Sequence, residues 1–336
     1  MPEMGYPNWL VTSRDLWRQP QMRGGAANAQ LLVTTSWDDG HPSDLRVADL
    51  LQKHGLKGTF YLPCTNSEGR PVMNSNDVAE LGRRFEIGGH TKDHLSLTEL
   101  SHHLAADQIL ANKCALEDIV GHEVCGFAYV RGRQNRLVRD LVRKAGYRYA
   151  RTARALISTP GIDRFQVPTT LQFFAHSKSV YLRNFISQGP SFGRLAALAA
   201  VLANDALATR TLHVVDVCMR LGGHFHLWGH SWELDDHDLW GEFDRLLHRL
   251  SKLNARFVEN SAWCASLAAG AEAQPANTTN PAEASWTDRF HRYTEHAQER
   301  HVQSRGGGRQ DSEYLVDDRP AIPMVDTSFL TDHLSQ

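Results

Sequence analysis

The sequence predicts an α/β fold: a distorted (β/α) barrel with a disordered or partly helical C-terminal tail. Three observations carry that prediction. Short apolar runs alternate with amphipathic stretches from Leu31 to Leu250, the pattern of strands alternating with helices. Chemistry-bearing polar residues follow three of the runs directly, as expected where strand C-termini converge on a barrel mouth. From Ala268 to Pro281 the chain becomes small, polar and proline-punctuated, like a flexible linker. The expected organisation is an N-terminal extension over 1–29, the barrel over 30–268 and a flexible tail over 269–336.

Leu31 to Ser36 reads as a buried strand that delivers Asp38 and Asp39 to its C-terminal end. In Asp44 to His54, apolar residues at Leu45, Val47, Ala48, Leu50 and Leu51 follow a helical spacing, closed by Gly55. Lys57 to Leu62 is the next strand. Asn76 to Phe85 is a helix capped by Asn76, with Val78, Ala79 and Leu81 inward. Glu86 to Gly89 is a short strand running into His90. Leu100 to Val120 is a long amphipathic helix ending at Gly121. Val124 to Tyr129 reads as strand, Asn135 to Ala145 as helix and Tyr147 to Arg151 as strand. Between Phe165 and Leu202 the pattern yields only an Ala/Leu-rich helix, near Phe192 to Asn204. Gly223 to Gly229 is the last clear strand, and Leu239 to Leu250 a helix. In the tail, Ala284 to Gln303 reads as one helix, residues 269–336 as a whole are a candidate for docking a partner, and no repeat of solenoid or propeller period is present.

The formal net charge is −2 over 336 residues, so no global field recruits nucleic acid or an anionic membrane. Five scattered cysteines without a C-x-x-C pair fit reduced thiols and a cytoplasmic location better than a secreted disulfide framework. No apolar run approaches the roughly 20 residues of a membrane span, and Met1 to Gly25 lacks a hydrophobic signal core.

Three segments fit together as one site: Ser36-Trp37-Asp38-Asp39-Gly40, Gly88-Gly89-His90-Thr91-Lys92-Asp93-His94, and Leu227-Trp228-Gly229-His230. One carboxylate and two imidazoles make a facial N/O ligand set with open positions. A second carboxylate and a third His remain to move protons. Each segment has a plainer reading. Asp-Asp-Gly is also a solvated turn, and His90 and His94 also suit one face of a helical turn. His224, His226, Trp228 and His230 alternate, so on a strand they share one face and form a packed stripe. Three coincidences in one chain favour the hydrolase reading.

These residues resemble the polysaccharide deacetylases, carbohydrate esterase family four. The family's Thr-Phe-Asp-Asp-Gly is similar to Ser36-Trp37-Asp38-Asp39-Gly40, and its His-Ser/Thr-x-x-His is matched by His90 to His94. Its late strand ending in His is similar to Leu227 to His230. The resemblance implies Asp38 as general base, Asp39, His90 and His94 as ligands of a divalent ion, most simply zinc, and His230 as general acid. It departs at one place: Ala128, within Phe127-Ala128-Tyr129-Val130-Arg131-Gly132, stands where the family's base-tethering Arg belongs. Arg131 then falls where a backbone N–H completes the oxyanion hole, and its side chain is a candidate replacement tether.

The expected chemistry is removal of an N-acetyl or O-acetyl group from a carbohydrate or lipid-linked sugar. Tyr129, Trp228 and Trp232 are candidate walls for a sugar face, with ordinary core packing as the alternative. The alternative functions are hydrolysis of cyclic amides or ureides on the same fold, and non-catalytic carbohydrate binding. Periodicity alone leaves both His226 and His230 open as the acid. His230 is favoured because it stands at the strand's end, after Gly229.

Overall fold

In this computed structural model, residues 30–158, 163–189, 191–221 and 223–271 are described. The expectations for the N-terminal extension and for the tail beyond Ala271 lie outside them. The barrel is built from β1 (Leu31–Asp38), α1 (Asp44–Lys53), β2 (Thr59–Leu62), α2 (Ser75–Gly82), β3 (Glu86–Gly89) and α3 (His102–Val120). It continues with β4 (Gly126–Ala128), α4 (Arg136–Lys144), β5 (Tyr149–Arg151), β6 (Leu171–Gln172), α5 (Lys178–Ser187), α6 (Phe192–Leu202) and α7 (Leu207–Arg220). It ends with β7 (His224–His230), α8 (Ser231–Asp236), α9 (Trp240–Leu250), β8 (Ala255–Phe257) and α10 (Asn260–Ala271).

All the strand pairings are parallel, in the order β5-β4-β3-β2-β1-β7-β6. β1 pairs with three strands, β2, β7 and β8. β7 covers one of its edges from Leu32 to Asp38. The other edge is shared, β8 pairing with Leu31–Val33 and β2 with Ser36–Asp38. The segment before β6 links the two ends of the sheet. Val167 N–H donates to Ala150 O at 2.9 Å, and Thr170 N–H donates to His226 O at 3.1 Å. The sheet therefore curls into a distorted barrel, as the alternation of elements predicted. Trp37 is fully buried and meets Phe243 edge-on, ring centroids 5.0 Å apart, which fastens α9 to β1.

Several boundaries differ from expectation, each for a local reason. The cap of α2 is Asn74, whose side chain accepts from Asn76 N–H and Asp77 N–H, so Asn76 is helical instead. α5 escaped the periodicity because it buries only Tyr181. α7 places Arg210 and Thr211 on its buried face, which breaks the apolar stripe. Arg210 is satisfied there by the carbonyls of Asn204 and His176, at 3.1 and 3.2 Å. β6 and β8 are two and three residues long, too short for a two-residue period to register.

The alternating stripe of β7 faces the barrel interior. His224 accepts or donates at Thr34 Oγ1 (2.8 Å) and stacks on Trp263, centroids 3.7 Å apart. His226 bonds Thr34 and Ser36 hydroxyls at 3.1 and 2.8 Å and is fully buried. Burial pushes His224 down to about 3 and His226 well below the ordinary imidazole value. Both rings are therefore neutral in the folded protein. The unfolded rings take up protons near pH 6.5, so acid favours the unfolded chain. Stability present above pH 6.5 should be lost as pH falls below it, at about 1.4 kcal/mol per pH unit for each ring, down to about pH 3 for His224. Denaturant titrations at a series of pH values should show this slope, and His226→Asn should flatten it. An unchanged slope in His226→Asn would refute the assignment.

Candidate active site

β1 ends at Asp38, and the chain then turns with Asp39 at φ 79° and Gly40 at φ 63°. Six non-glycine residues have positive φ among the described residues, and four of them, Asp39, Thr91, His94 and Arg131, lie in this site. Such backbone costs about 1–3 kcal/mol per residue and persists where surrounding structure holds it for function. The two carboxylates face different partners. Asp38 is buried and accepts from the guanidinium of Arg151, one nitrogen serving both oxygens. Arg151 is itself 1% exposed and lies between the rings of Tyr61 (5.2 Å) and Trp228 (5.1 Å).

Arg151 corrects the expectation for Arg131. Arg131 pairs with Glu68 at 2.8 Å. The reason lies in strand register: Ala128 on β4 pairs with Arg151 on β5. Register partners in a parallel sheet project to the same face. The small Ala128 side chain leaves room on that face, and the guanidinium that the resemblance placed at position 128 comes from the neighbouring strand.

β3 and the loop after it place the imidazoles. A Cβ on Gly89 would stand 2.1 Å from Tyr147 Oη and 2.7 Å from Asn112 Oδ1. Glycine there admits Asn112, which accepts from His90 N–H at 2.9 Å and donates to Leu62 O at 3.0 Å. His90 Nδ1 lies 2.8 Å from Ala128 O. A carbonyl only accepts, so Nδ1 carries the proton and Nε2 offers its lone pair. Gln108 on α3 pins the loop, accepting from Asp93 N–H at 2.9 Å and donating to Asp93 Oδ2 at 2.6 Å. His94 Nδ1 lies 3.6 Å from Glu68 Oε1.

Asp39 Oδ1 lies 3.0 Å from His94 Nε2 and 3.5 Å from His90 Nε2. These three donor atoms stand within 4.8 Å of one another, all on buried residues. Oδ1 has no hydrogen-bond partner although it is buried. A carboxylate and two imidazoles around an unsatisfied oxygen suit a divalent cation, so the trio could hold a metal ion.

His230, the last residue of β7, pairs in register with Asp38. Its Nδ1 is 3.1 Å from Glu233 Oε2 and its Nε2 is 3.9 Å from Asp39 Oδ2. Burial alone would lower this imidazole, yet Glu233, Asp39 and Asp38 push it up to about 9, so it holds its proton at neutral pH. Gln172 on β6 donates to both Glu233 oxygens at 3.0 Å. His226 is confined to the interior and does not border this cavity.

A cavity of about 220 Å³ is bordered by Asp38, Asp39, His90, His94, Arg151 and His230. The expected sugar walls, Tyr129, Trp228 and Trp232, border it too, but two of them are already committed. Tyr129 is 1% exposed and donates its hydroxyl to Phe165 O at 3.1 Å. Trp232 donates its indole N–H to Asp39 Oδ2 at 2.9 Å. Sequence reasoning missed Arg151 and Glu233. Their one signal was a charged residue inside, or directly after, a strand-like run.

The fold and site define a parallel β/α barrel with a carboxylate and two histidines gathered at the strand ends. The polysaccharide deacetylase family model matches residues 26–150. A Mycobacterium smegmatis structure, provisionally called a polysaccharide deacetylase, superposes with TM-score 0.54 at 13% identity, over 77% of this chain and 97% of that one. This likeness establishes the fold. Streptococcus pyogenes deacetylase PplD, solved with acetate, matches with TM-score 0.38 at 16% identity, over 40% of this chain. The chain spans 62% of PplD's length, less than two thirds. A family 4 carbohydrate esterase from Streptomyces lividans, also solved with acetate, matches with TM-score 0.40 at 14% identity, over 70% of this chain and 95% of that one. No curated protein matches significantly. Among the described residues, no helix is long and apolar enough to cross a membrane, and all five cysteines are free thiols.

Proposed function

We propose that the chain is a metal-dependent deacetylase that removes an acetyl group from an N-acetylated, or O-acetylated, sugar. One observation carries the reading: Asp39, His90 and His94 converge on an unsatisfied carboxylate oxygen, with Asp38 and His230 flanking it at one cavity. When bound by the trio, a divalent ion, zinc by its preference for imidazole and carboxylate donors, supplies Lewis acidity and makes water more acidic. Asp38, held by Arg151, accepts the proton of the attacking water. The Arg131 backbone N–H, at the left-handed turn after β4, is the candidate donor to the oxyanion. His230, kept protonated by Glu233, passes its proton to the leaving nitrogen, which an amide requires because an amide anion leaves poorly.

Ala128 does not favour a non-catalytic reading, because Arg151 supplies the missing guanidinium. The substrate fitting this site is an acetylated carbohydrate or lipid-linked sugar. Metal content, together with acetate release from a panel of acetylated sugars, tests the proposal. Stoichiometric zinc and acetate release are expected, and metal-loaded protein inert on every substrate would sink the deacetylase reading. His230→Ala should depress N-deacetylation far more than ester hydrolysis, since an alcohol leaves without an acid more readily than an amine. Equal losses on both substrates would refute His230 as the acid.

A further inference from the structure

Asp39 has two carboxylate oxygens in different surroundings. Oδ1 faces the Nε2 atoms of His94 and His90 at 3.0 and 3.5 Å. Oδ2 accepts the indole N–H of Trp232 at 2.9 Å. We propose that Trp232 is a positioning residue for the metal site: by holding Oδ2, it presents Oδ1 alone to the ion. This rests on the reading of Asp39, His90 and His94 as metal ligands.

Three features make the indole suited to this. Its N–H is a donor only and carries no charge at any working pH, so it can neither ligate a cation nor exchange roles with the carboxylate. Its ring is clamped. The Arg70 guanidinium lies 3.4 Å from the ring centroid, and the His230 ring stacks on it at 5.1 Å with an interplanar angle of 24°. Its place on the backbone follows from strand register. Asp38 pairs with His230 across β1 and β7, so Asp39 in the turn after β1 meets the first turn of α8.

The need is equally physical. Asp39 sits at φ 79° on a turn rather than within a strand, where its side chain lacks the support of sheet neighbours. An unrestrained carboxylate can rotate so that both oxygens approach an ion. A donor fixed on one oxygen selects single-oxygen ligation and lowers the cost of ordering the ligand. Trp232 thereby differs from Trp228, which borders the same cavity but rests on Arg151. The assignment also joins two halves of the site, since the ring that orients the metal ligand supports His230.

The test replaces Trp232 by phenylalanine, which keeps an aromatic ring beside Arg70 and His230 and removes the indole donor. Zinc dissociation constants are measured by chelator competition on Trp232→Phe, Trp228→Phe and the parent protein. Cobalt loading reports ligand geometry through its visible absorption, and thermal melting confirms that each variant is folded. Loss of an outer partner of a metal ligand typically weakens binding about 10–100-fold. Trp232→Phe should show that loss and an altered cobalt spectrum, while Trp228→Phe matches the parent on both. Zinc affinity within about threefold of the parent, with an unchanged cobalt spectrum, overturns the role of Trp232. Equal weakening in Trp228→Phe overturns it as well, by showing a general effect of the cavity wall. A parent protein that binds no zinc would instead defeat the metal reading itself.

Discussion

Replacing Arg151 with methionine should cost both stability and activity. Arg151 and Asp38 are 1% and 3% exposed, and the guanidinium is the one cation bonded to that carboxylate among the described residues. Removing one member of a buried pair leaves an uncompensated charge, at a typical cost of about 3–5 kcal/mol. Chemical denaturation should show a loss of that size. Acetate release should fall by about 10²–10⁴-fold, the range for losing a positioned base. A sharper test follows from the pairing of Ala128 with Arg151. The double variant Ala128→Arg/Arg151→Ala returns the guanidinium to β4 on the same face of the sheet. It should recover part of both losses relative to Arg151→Met. If the double variant is as impaired as the single one, the register exchange between the two strands is not what holds Asp38.

The second large effect separates the two neighbouring carboxylates. Asp38→Asn should keep the metal and lose about 10²–10⁴-fold in activity, because only the proton acceptor is gone. The amide can still meet Arg151 through its carbonyl oxygen, but the buried guanidinium loses its counter-charge, so denaturation should show a loss of stability as well. Asp39→Asn should lose metal and activity together, since Oδ1 faces both imidazoles and has no other partner. His94→Ala should likewise lose most of the metal. Elemental analysis beside acetate release reads all three variants. Exchange of the two Asp phenotypes would reverse base and ligand, and equal metal in the parent and His94→Ala would remove the trio as a site.

Strand ends and closely spaced ligand pairs are encoded locally in the chain. The run into Asp38-Asp39-Gly40 announces a strand and its terminal turn, and His90 and His94 announce a ligand pair four residues apart. The alternation on β7 places His226 and His230 on one face. Each of these needs only a few contiguous residues and a two- or 3.6-residue period. The short β6 and β8, and α5 with its single buried residue, carry too little pattern to be read this way.

Tertiary structure alone decided which groups support the site. Arg151 reaches Asp38 across 113 positions of sequence, and Trp232 reaches Asp39 across 193. Nothing near either aspartate in the chain points to those partners. The two histidines of β7 take the depths that their positions along the strand suggested, but only the structure supplies their partners: His226 is satisfied by Thr34 and Ser36 inside the barrel, whereas His230 meets Glu233 and the cavity. Sequence periodicity specifies a face but not a depth. Depth and cross-strand partners follow from parallel register, fixed only when β1, β4, β5 and β7 pair.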